Sequence, residues 1–439
     1  MKGFRPGRFS KTLLFAVVLG AASLDSALAQ SAKGGADTGF SFDVYGDSRS
    51  MMYLPYKQSQ EADARKLMVD MFELVMPEKM SEAVVQRDVK LVYDPSTHEL
   101  VQLVMPFMTR SEVTTLTLDK GWVTSASVED VKLLPGVRRE MFRLDGGQWV
   151  AREVVRDIKA GNAKFVVNTG DLVWWGRQGD KPSDNPYWSL VEKDVLKELP
   201  PADAEMKKAG LDGVVFPAVG NHEVWDDSDV EGLLASFPYL TKLGVSKKQL
   251  IYKFDFRGVR FIFLYTGPYD YRQPSGWDAQ QPAYDAQMVQ LKKWLDEAKA
   301  TGIKKIFVSF HAPVYCRSGM GPIPEAQNPH KTLESYAKDL DIVVFNGHVH
   351  TTELFQAGGV KYFVVGGGGA EQDPILPGRT AIKTLPADYP RDVYWKGAPP
   401  VEEYNFLHVD VKPGQATKFT IHRFRPGSAE PYASVEVFQ

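Results

Sequence analysis

Five short polar clusters carry most of the chemistry in this sequence: Gly46-Asp47, Gly170-Asp171, Gly220-Asn221-His222-Glu223, His311-Ala312-Pro313 and Gly347-His348-Val349-His350. From them Asp47, Asp171, Asn221, His311, His348 and His350 supply two carboxylates, one carboxamide and three imidazoles. This oxygen and nitrogen donor set suits divalent manganese, iron or zinc rather than a thiolate-seeking metal. One carboxylate can bridge two ions. Paired ions polarise a phosphoryl oxygen, lower the pKa of a shared water and clamp the attacking and leaving oxygens of an in-line displacement. Phosphate ester hydrolysis is the reaction that needs all three effects.

The clusters need elements that bring them together, and each follows a short apolar run. Phe40 to Tyr45, Lys164 to Asn168, Val214 to Val219, Lys305 to Phe310 and Asp341 to Phe345 read as buried strands. The pattern predicts a hairpin over 252–266 around Arg257-Gly258 and an amphipathic helix over 286–300. Strands separated by helical stretches make an α/β domain, and in such folds the carboxyl ends of the strands share one crevice. The gap between the first two strands is too long for a simple connection and is expected to hold an inserted cap over about 52–148. In it Leu67, Met68, Met71, Phe72, Val75 and Met76 fall on one helical face, and 89–107 reads as a hairpin around Asp94-Pro95-Ser96. An irregular Pro- and aromatic-rich loop is expected over 371–400, and closing strands from Phe406 onward.

The first residues carry Lys2, Arg5, Arg8 and Lys11, an apolar run from Leu13 to Leu24, and Ala27-Leu28-Ala29. That is the order of a secretory signal peptide over 1–29, with cleavage after Ala29. The run is short of the roughly 20 residues a spanning helix needs, so the exported remainder is expected to be soluble, with no membrane span. Net charge is −3, and about −6 without residues 1–29, which argues against a nucleic-acid partner. Cys316 is the one cysteine, so no intramolecular disulfide forms; export without disulfides points to a bacterial periplasm. A lone cysteine more often packs as a small apolar residue than binds metal, and Cys316 is left out of the site.

The five clusters, in this order and each after an apolar strand, resemble those of the calcineurin-like metallophosphoesterases from about Phe42 to Val365. The resemblance implies an α/β sandwich of two mixed β-sheets flanked by helices, here with an inserted α+β cap. With the leader it implies an exported hydrolase of phosphate mono- or diesters, and by itself the resemblance implies attack of metal-bound hydroxide on phosphorus, with two divalent ions (manganese, iron or zinc) as cofactors. By position it makes Asp171 the bridging ligand, puts Asp47 and His350 on the first metal, and puts Asn221, His311 and His348 on the second. His222 would stabilise charge or protonate the leaving oxygen, with Glu223 placed to orient it. His98, His330, His408 and His422 are read as ordinary core or surface residues.

The sequence departs from the family at the first metal. Most members have a histidine two residues after the first aspartate, where this chain has Arg49, and guanidinium has no lone pair to give. The purple acid phosphatase branch uses a tyrosine three residues after the bridging aspartate, where this chain has Trp174. The first metal is therefore one protein ligand short by either template. Arg49 can bind two phosphate oxygens in parallel, or it can pair with an acidic neighbour such as Asp43. Trp174 and Trp175 offer an apolar wall for a leaving group or ordinary packing. Gly366 to Gly369 read as a tight turn beside the metals. A non-catalytic protein that kept the fold to bind metal or phosphate is the alternative reading. The lack of a Gly-x-Ser-x-Gly turn makes a serine hydrolase a poor reading, and the ligand set lacks the cysteine that electron-transfer sites commonly use. If Arg49 grips phosphate, Arg49→Ala weakens substrate binding, seen as a raised KM, more than it weakens metal binding; loss of metal at unchanged KM overturns that role.

Overall fold

Val, Ile and Phe runs buried on both faces leave their backbone no partner but another strand, and this chain folds around such runs. The computed structural model describes residues 39–48, 52–73, 77–107, 109–132, 135–143, 145–177, 185–266, 281–317, 322–370, 404–424, 431 and 433–437. The leader expected over 1–29, Arg49, and the loop expected over 371–400 lie outside these residues.

In chain order the strands begin with β1 (Phe40–Tyr45), β2 (Lys90–Tyr93), β3 (Leu100–Phe107), β4 (Thr109–Asp119), β5 (Trp122–Asp130) and β6 (Arg138–Arg143). They continue with β7 (Val166–Asn168), β8 (Val215–Pro217), β9 (Tyr252–Phe256), β10 (Val259–Phe263), β11 (Lys305–Ser309) and β12 (Asp341–Asn346). They end with β13 (Thr352–Ala357), β14 (Val360–Val365), β15 (Tyr404–Val411), β16 (Lys418–Phe424) and β17 (Ala433–Val437).

One sheet runs β17-β16-β15-β1-β7-β8, with β1, β7 and β8 parallel and β15 to β17 antiparallel. The other runs β13-β14-β12-β11-β10-β9, parallel through β10, β11, β12 and β14. Both sheets are mixed, and helices flank them. The fold is the α/β sandwich that the sequence implies. Its centre is aromatic: the Phe42 ring stacks on Phe165 at 5.5 Å and meets the edges of Phe261 at 5.1 Å and Phe307 at 5.0 Å, so rings of β1 and its neighbour lock onto rings of the opposite sheet. Helix Asp145–Ala160 turns Val150, Val154 and Ile158, spaced by four, into the same core. The helix expected over 286–300 spans Gln281–Thr301.

The segment between β1 and helix Asp145–Ala160 builds a third, fully antiparallel sheet, β2-β3-β4-β5-β6, behind helices Glu61–Glu73 and Glu78–Asp88. It has its own apolar cluster around Met68, Val85, Leu103 and Leu116. The β2–β3 turn forms because Asp94 Oδ1 accepts from the backbone N–H groups of Ser96 and Thr97. Val75 and Met76 lie outside the described residues. Tyr187 joins this layer to the sandwich: its hydroxyl accepts from Tyr53 N at 2.7 Å and donates to Tyr53 O at 3.2 Å. Trp174 packs against both apolar clusters.

Phe42→Ala removes a fully buried ring from the sheet-to-sheet contact. It is expected to cost about 3–5 kcal/mol of unfolding free energy, read as a lowered urea midpoint at unchanged slope.

Candidate metal centre

The parallel strands end where the site begins. Asp47 follows β1, Asp171 follows β7, Asn221 follows β8, His311 follows β11, and His348 and His350 follow β12. Three of the turns take a conformation that L-residues avoid: Asp47 has φ 55°, Asp171 φ 55° and His348 φ 68°. Such strain persists where surrounding bonds over-determine it. Here each backbone N–H of the three is held: Asp47 N by Gly170 O at 2.9 Å, Asp171 N by Glu223 Oε2 at 3.0 Å, and His348 N by both Asp47 carboxylate oxygens at 2.9 Å. Glycine is required beside them. A Cβ on Gly220 would stand 2.2 Å from Asp171 Oδ1, and one on Gly347 would stand 2.3 Å from Asp47 Oδ2.

Four of the six expected ligands converge closely. His311 Nε2 lies 3.1 Å from Asp171 Oδ2 and 2.9 Å from Asn221 Oδ1, while His348 Nδ1 lies 3.0 Å from Asn221 Oδ1 and 3.3 Å from His311 Nε2. Asp47 joins them through the His348 backbone, and His350 Nε2 faces Asp47 Oδ1 at 3.6 Å. The structure thus places all six in one buried chain of contacts. Among the described residues, Asp171, His311 and His348 form a three-donor group able to hold an ion.

The donor chemistry fits a metal. His311 Nδ1 donates to Thr169 O at 2.9 Å, so Nε2 turns its lone pair inward, toward an amide oxygen and a carboxylate that can only accept. Inward-facing acceptors at such distances call for a cation between them. Burial alone would lower the His311 pKa, but the carboxylates of Asp171 and Asp47 raise it to about 9, so the local field favours positive charge.

His222 sits beside this group, its Nε2 3.7 Å from Asp171 Oδ2. Its Nδ1 donates to Trp174 O at 2.8 Å, which leaves Nε2 as the nitrogen that faces the site. Glu223 does not orient it. The Glu223 carboxylate instead accepts from Asp171 N, Leu172 N at 2.7 Å and Gly220 N at 2.8 Å, tying the second and third clusters together. The Gly-x-x-Glu spacing was the available signal: a glutamate at the third helical position reaches back to the cap amide. The His222 ring also lies 3.8 Å from the Trp225 ring and 5.2 Å from Trp174. Trp225 went unnoticed in the sequence, although it lies three residues after His222. Trp175 is buried in the sandwich core, so of the two tryptophans Trp174 is the one whose ring flanks His222. Asp43, weighed above as a partner for Arg49, has His408 as its ion-pair partner among the described residues.

Glu223→Gln turns an amide N–H₂ toward backbone N–H groups and loosens the Asp171 turn. Metal affinity, measured by chelator competition, is expected to fall about 10–100-fold with the circular dichroism spectrum unchanged.

Residues 145–352 match the family model of the calcineurin-like phosphoesterases, a span that holds every cluster but the first. Among solved structures, a purple acid phosphatase from yellow lupin (Lupinus luteus) aligns at 14% identity and a TM-score of 0.42, over 79% of this chain and 64% of that one. A dimetal phosphatase from Danio rerio aligns at 10% identity and a TM-score of 0.42, over 91% of this chain and 98% of that one. The GAP50 anchor of the inner membrane complex of Plasmodium aligns at 15% identity and a TM-score of 0.40, over 66% and 83%. No curated protein matches the chain. Residues 145–352 of this chain thus match the calcineurin-like phosphoesterases, and the order of the strand-end clusters and the two-sheet fold agree with that match.

Proposed function

We propose that this protein is an exported, metal-dependent hydrolase of phosphate mono- or diesters. The observation that carries the reading is the convergence of Asp171, Asn221, His311 and His348 with His222 at their edge. Asp171, Asn221, His311 and His348 would hold one divalent ion, while Asp47 and His350, with Asp171 between the sites, would hold a second. Ions bound there supply phosphoryl polarisation and an acidified water.

The chain's own residues do the rest. Thr169 O fixes His311 with Nε2 inward, Glu223 fixes the Asp171 turn, and Asp47 fixes the His348 turn. His222 Nε2 gives a proton to the leaving oxygen, and the Trp174 carbonyl holds its ring for that transfer. Trp174 also reaches the apolar cluster of the third sheet, which supports that layer as a cap bearing on the leaving-group side. Arg49, two residues beyond Asp47, is proposed to grip the phosphate. The leader over 1–29 supports delivery to a bacterial periplasm, and among the described residues no helix is long and apolar enough to cross a membrane.

A second reading, a metal- or phosphate-binding protein without turnover, draws on the first metal's missing histidine. Metal analysis with hydrolysis of p-nitrophenyl phosphate and its bis ester separates the two. Asp171→Asn is expected to lose metal and turnover together. His222→Ala is expected to keep its metal and lose about 10²–10⁴ in kcat. Bound metal with no turnover on either ester, across several metals, would establish the binding reading instead.

A further inference from the structure

A second group of side chains with metal-ligand chemistry lies away from the strand ends. His408 on β15 is the cross-strand partner of Asp43 on β1, and Asp157 of helix Asp145–Ala160 reaches the same point. His408 Nδ1 stands 2.7 Å from Asp43 Oδ1 and 3.2 Å from Asp157 Oδ2, and its Nε2 faces Asp410 Oδ1 at 3.6 Å. One ligand atom each from Asp43, Asp157 and His408 falls within 4.8 Å of the others. In the sequence His408 read as an ordinary residue; here it is ringed by three carboxylates.

Two features of the group call for a cation. Among the described residues, the three carboxylates have His408 as their shared ion-pair partner, so the group stays negative even with the imidazole protonated. Asp157 Oδ1 takes Asn162 Nδ2 and Asp410 Oδ1 takes Ser41 Oγ, yet Asp43 Oδ2, wholly buried, has no hydrogen-bond partner. Burial pushes the Asp43 carboxyl up to about 7, with the hydrogen bond and charge of His408 pulling the other way. His408 Nδ1 faces two carboxylate oxygens at once, Asp43 Oδ1 at 2.7 Å and Asp157 Oδ2 at 3.2 Å, while Asp410 stands 3.6 Å from Nε2, beyond hydrogen-bond reach. A positive charge belongs between Nδ1 and those two oxygens, and either a proton or a divalent ion supplies it.

We propose that Asp43, Asp157 and His408 form a separate structural site for a zinc-class divalent ion, one that ties β1, β15 and helix Asp145–Ala160 together. One imidazole nitrogen and two carboxylate oxygens suit that class, with water free to complete the shell on the half-exposed Asp157 side. The site is independent of the phosphoesterase reading.

Chelator-stripped full-length chain, titrated with zinc and counted for bound zinc after dialysis, tests the proposal. Wild type is expected to hold one equivalent more than His408→Gln or Asp157→Asn. Adding Asp157→Asn to Asp171→Asn is expected to remove one further equivalent, along with a zinc-dependent rise in Tm that Asp171→Asn alone keeps. Ester hydrolysis by the Asp157→Asn chain should match wild type. Equal zinc counts with and without Asp157→Asn, in both backgrounds, overturn the site and leave a proton on His408 as the bridging charge. Asp157 is half-exposed and asparagine has its shape, so this arm stands if His408→Gln does not fold.

Discussion

The metal centre depends on holding three strand-end turns in a conformation that costs roughly 1–3 kcal/mol each. Asp47, Asp171 and His348 leave their strands through the left-handed region, and none has a sheet ladder to hold its N–H there. Two buried carboxylates hold Asp171 and His348. Glu223 takes three backbone N–H groups and Asp47 takes that of His348, and hydrogen bonds to charged groups contribute about 1.5–3 kcal/mol each. Asp47 therefore braces the turn that presents His348, and in the proposed centre it would also present oxygens to a cation. Glu223 has one task, and it is wholly mechanical. Burial, with the Asp171 charge behind it, pushes its carboxyl up to about 7, while the His311 charge and the backbone N–H groups of Asp171 and Leu172 favour its ionised form.

The aromatic centre of the sandwich explains how six ligands from five strand ends reach one place. Parallel strands end on one side of a sheet, but ligands drawn from two sheets meet only if those sheets are fixed in depth and rotation. Phe42 and Phe165 from one sheet interlock with Phe261, Phe307 and Phe345 from the other, with centroids from 5.0 to 6.1 Å apart around Phe42. Asp47 lies five residues along from Phe42, and His311 and His348 lie four and three residues beyond Phe307 and Phe345. Rigid rings near the strand ends thus transmit their registration directly to the donors.

Much of this was legible because doubly buried strands write themselves as unbroken apolar runs. Phe40–Tyr45 needed no adjustment, and the clusters that follow such runs announced a shared crevice. Strands beyond the β2–β3 hairpin were not legible: Thr109–Asp119 and Trp122–Asp130 are rich in Thr, Ser, Asp and Glu, and their partially buried faces show no sustained apolar alternation. The role of Glu223 was half legible: its spacing after Gly220 signals the bond to the cap amide, but its other two partners are backbone groups from a turn fifty-odd positions earlier, and backbone donors carry no residue signature. His408 was unreadable because the meaning of a lone histidine on a strand lies in the register, which sets Asp43 opposite it.

One strand shows how a conformation, rather than a residue type, assigns the chemistry. Asp43 and Asp47 are four apart on β1 and its extension, so strand parity would send both to the face that meets helix Asp145–Ala160. Asp43 follows that rule and meets Asp157 and His408. Asp47 does not, because φ of 55° after Gly46 breaks the alternation and swings its carboxylate beneath His348. Gly46 can stand there only because it has no side chain, since a Cβ would collide with Thr169. The same side chain has opposite surroundings thirteen or so ångströms along one strand. A substitution that restored extended backbone at Asp47 would therefore take its carboxylate away from His348 without changing the residue.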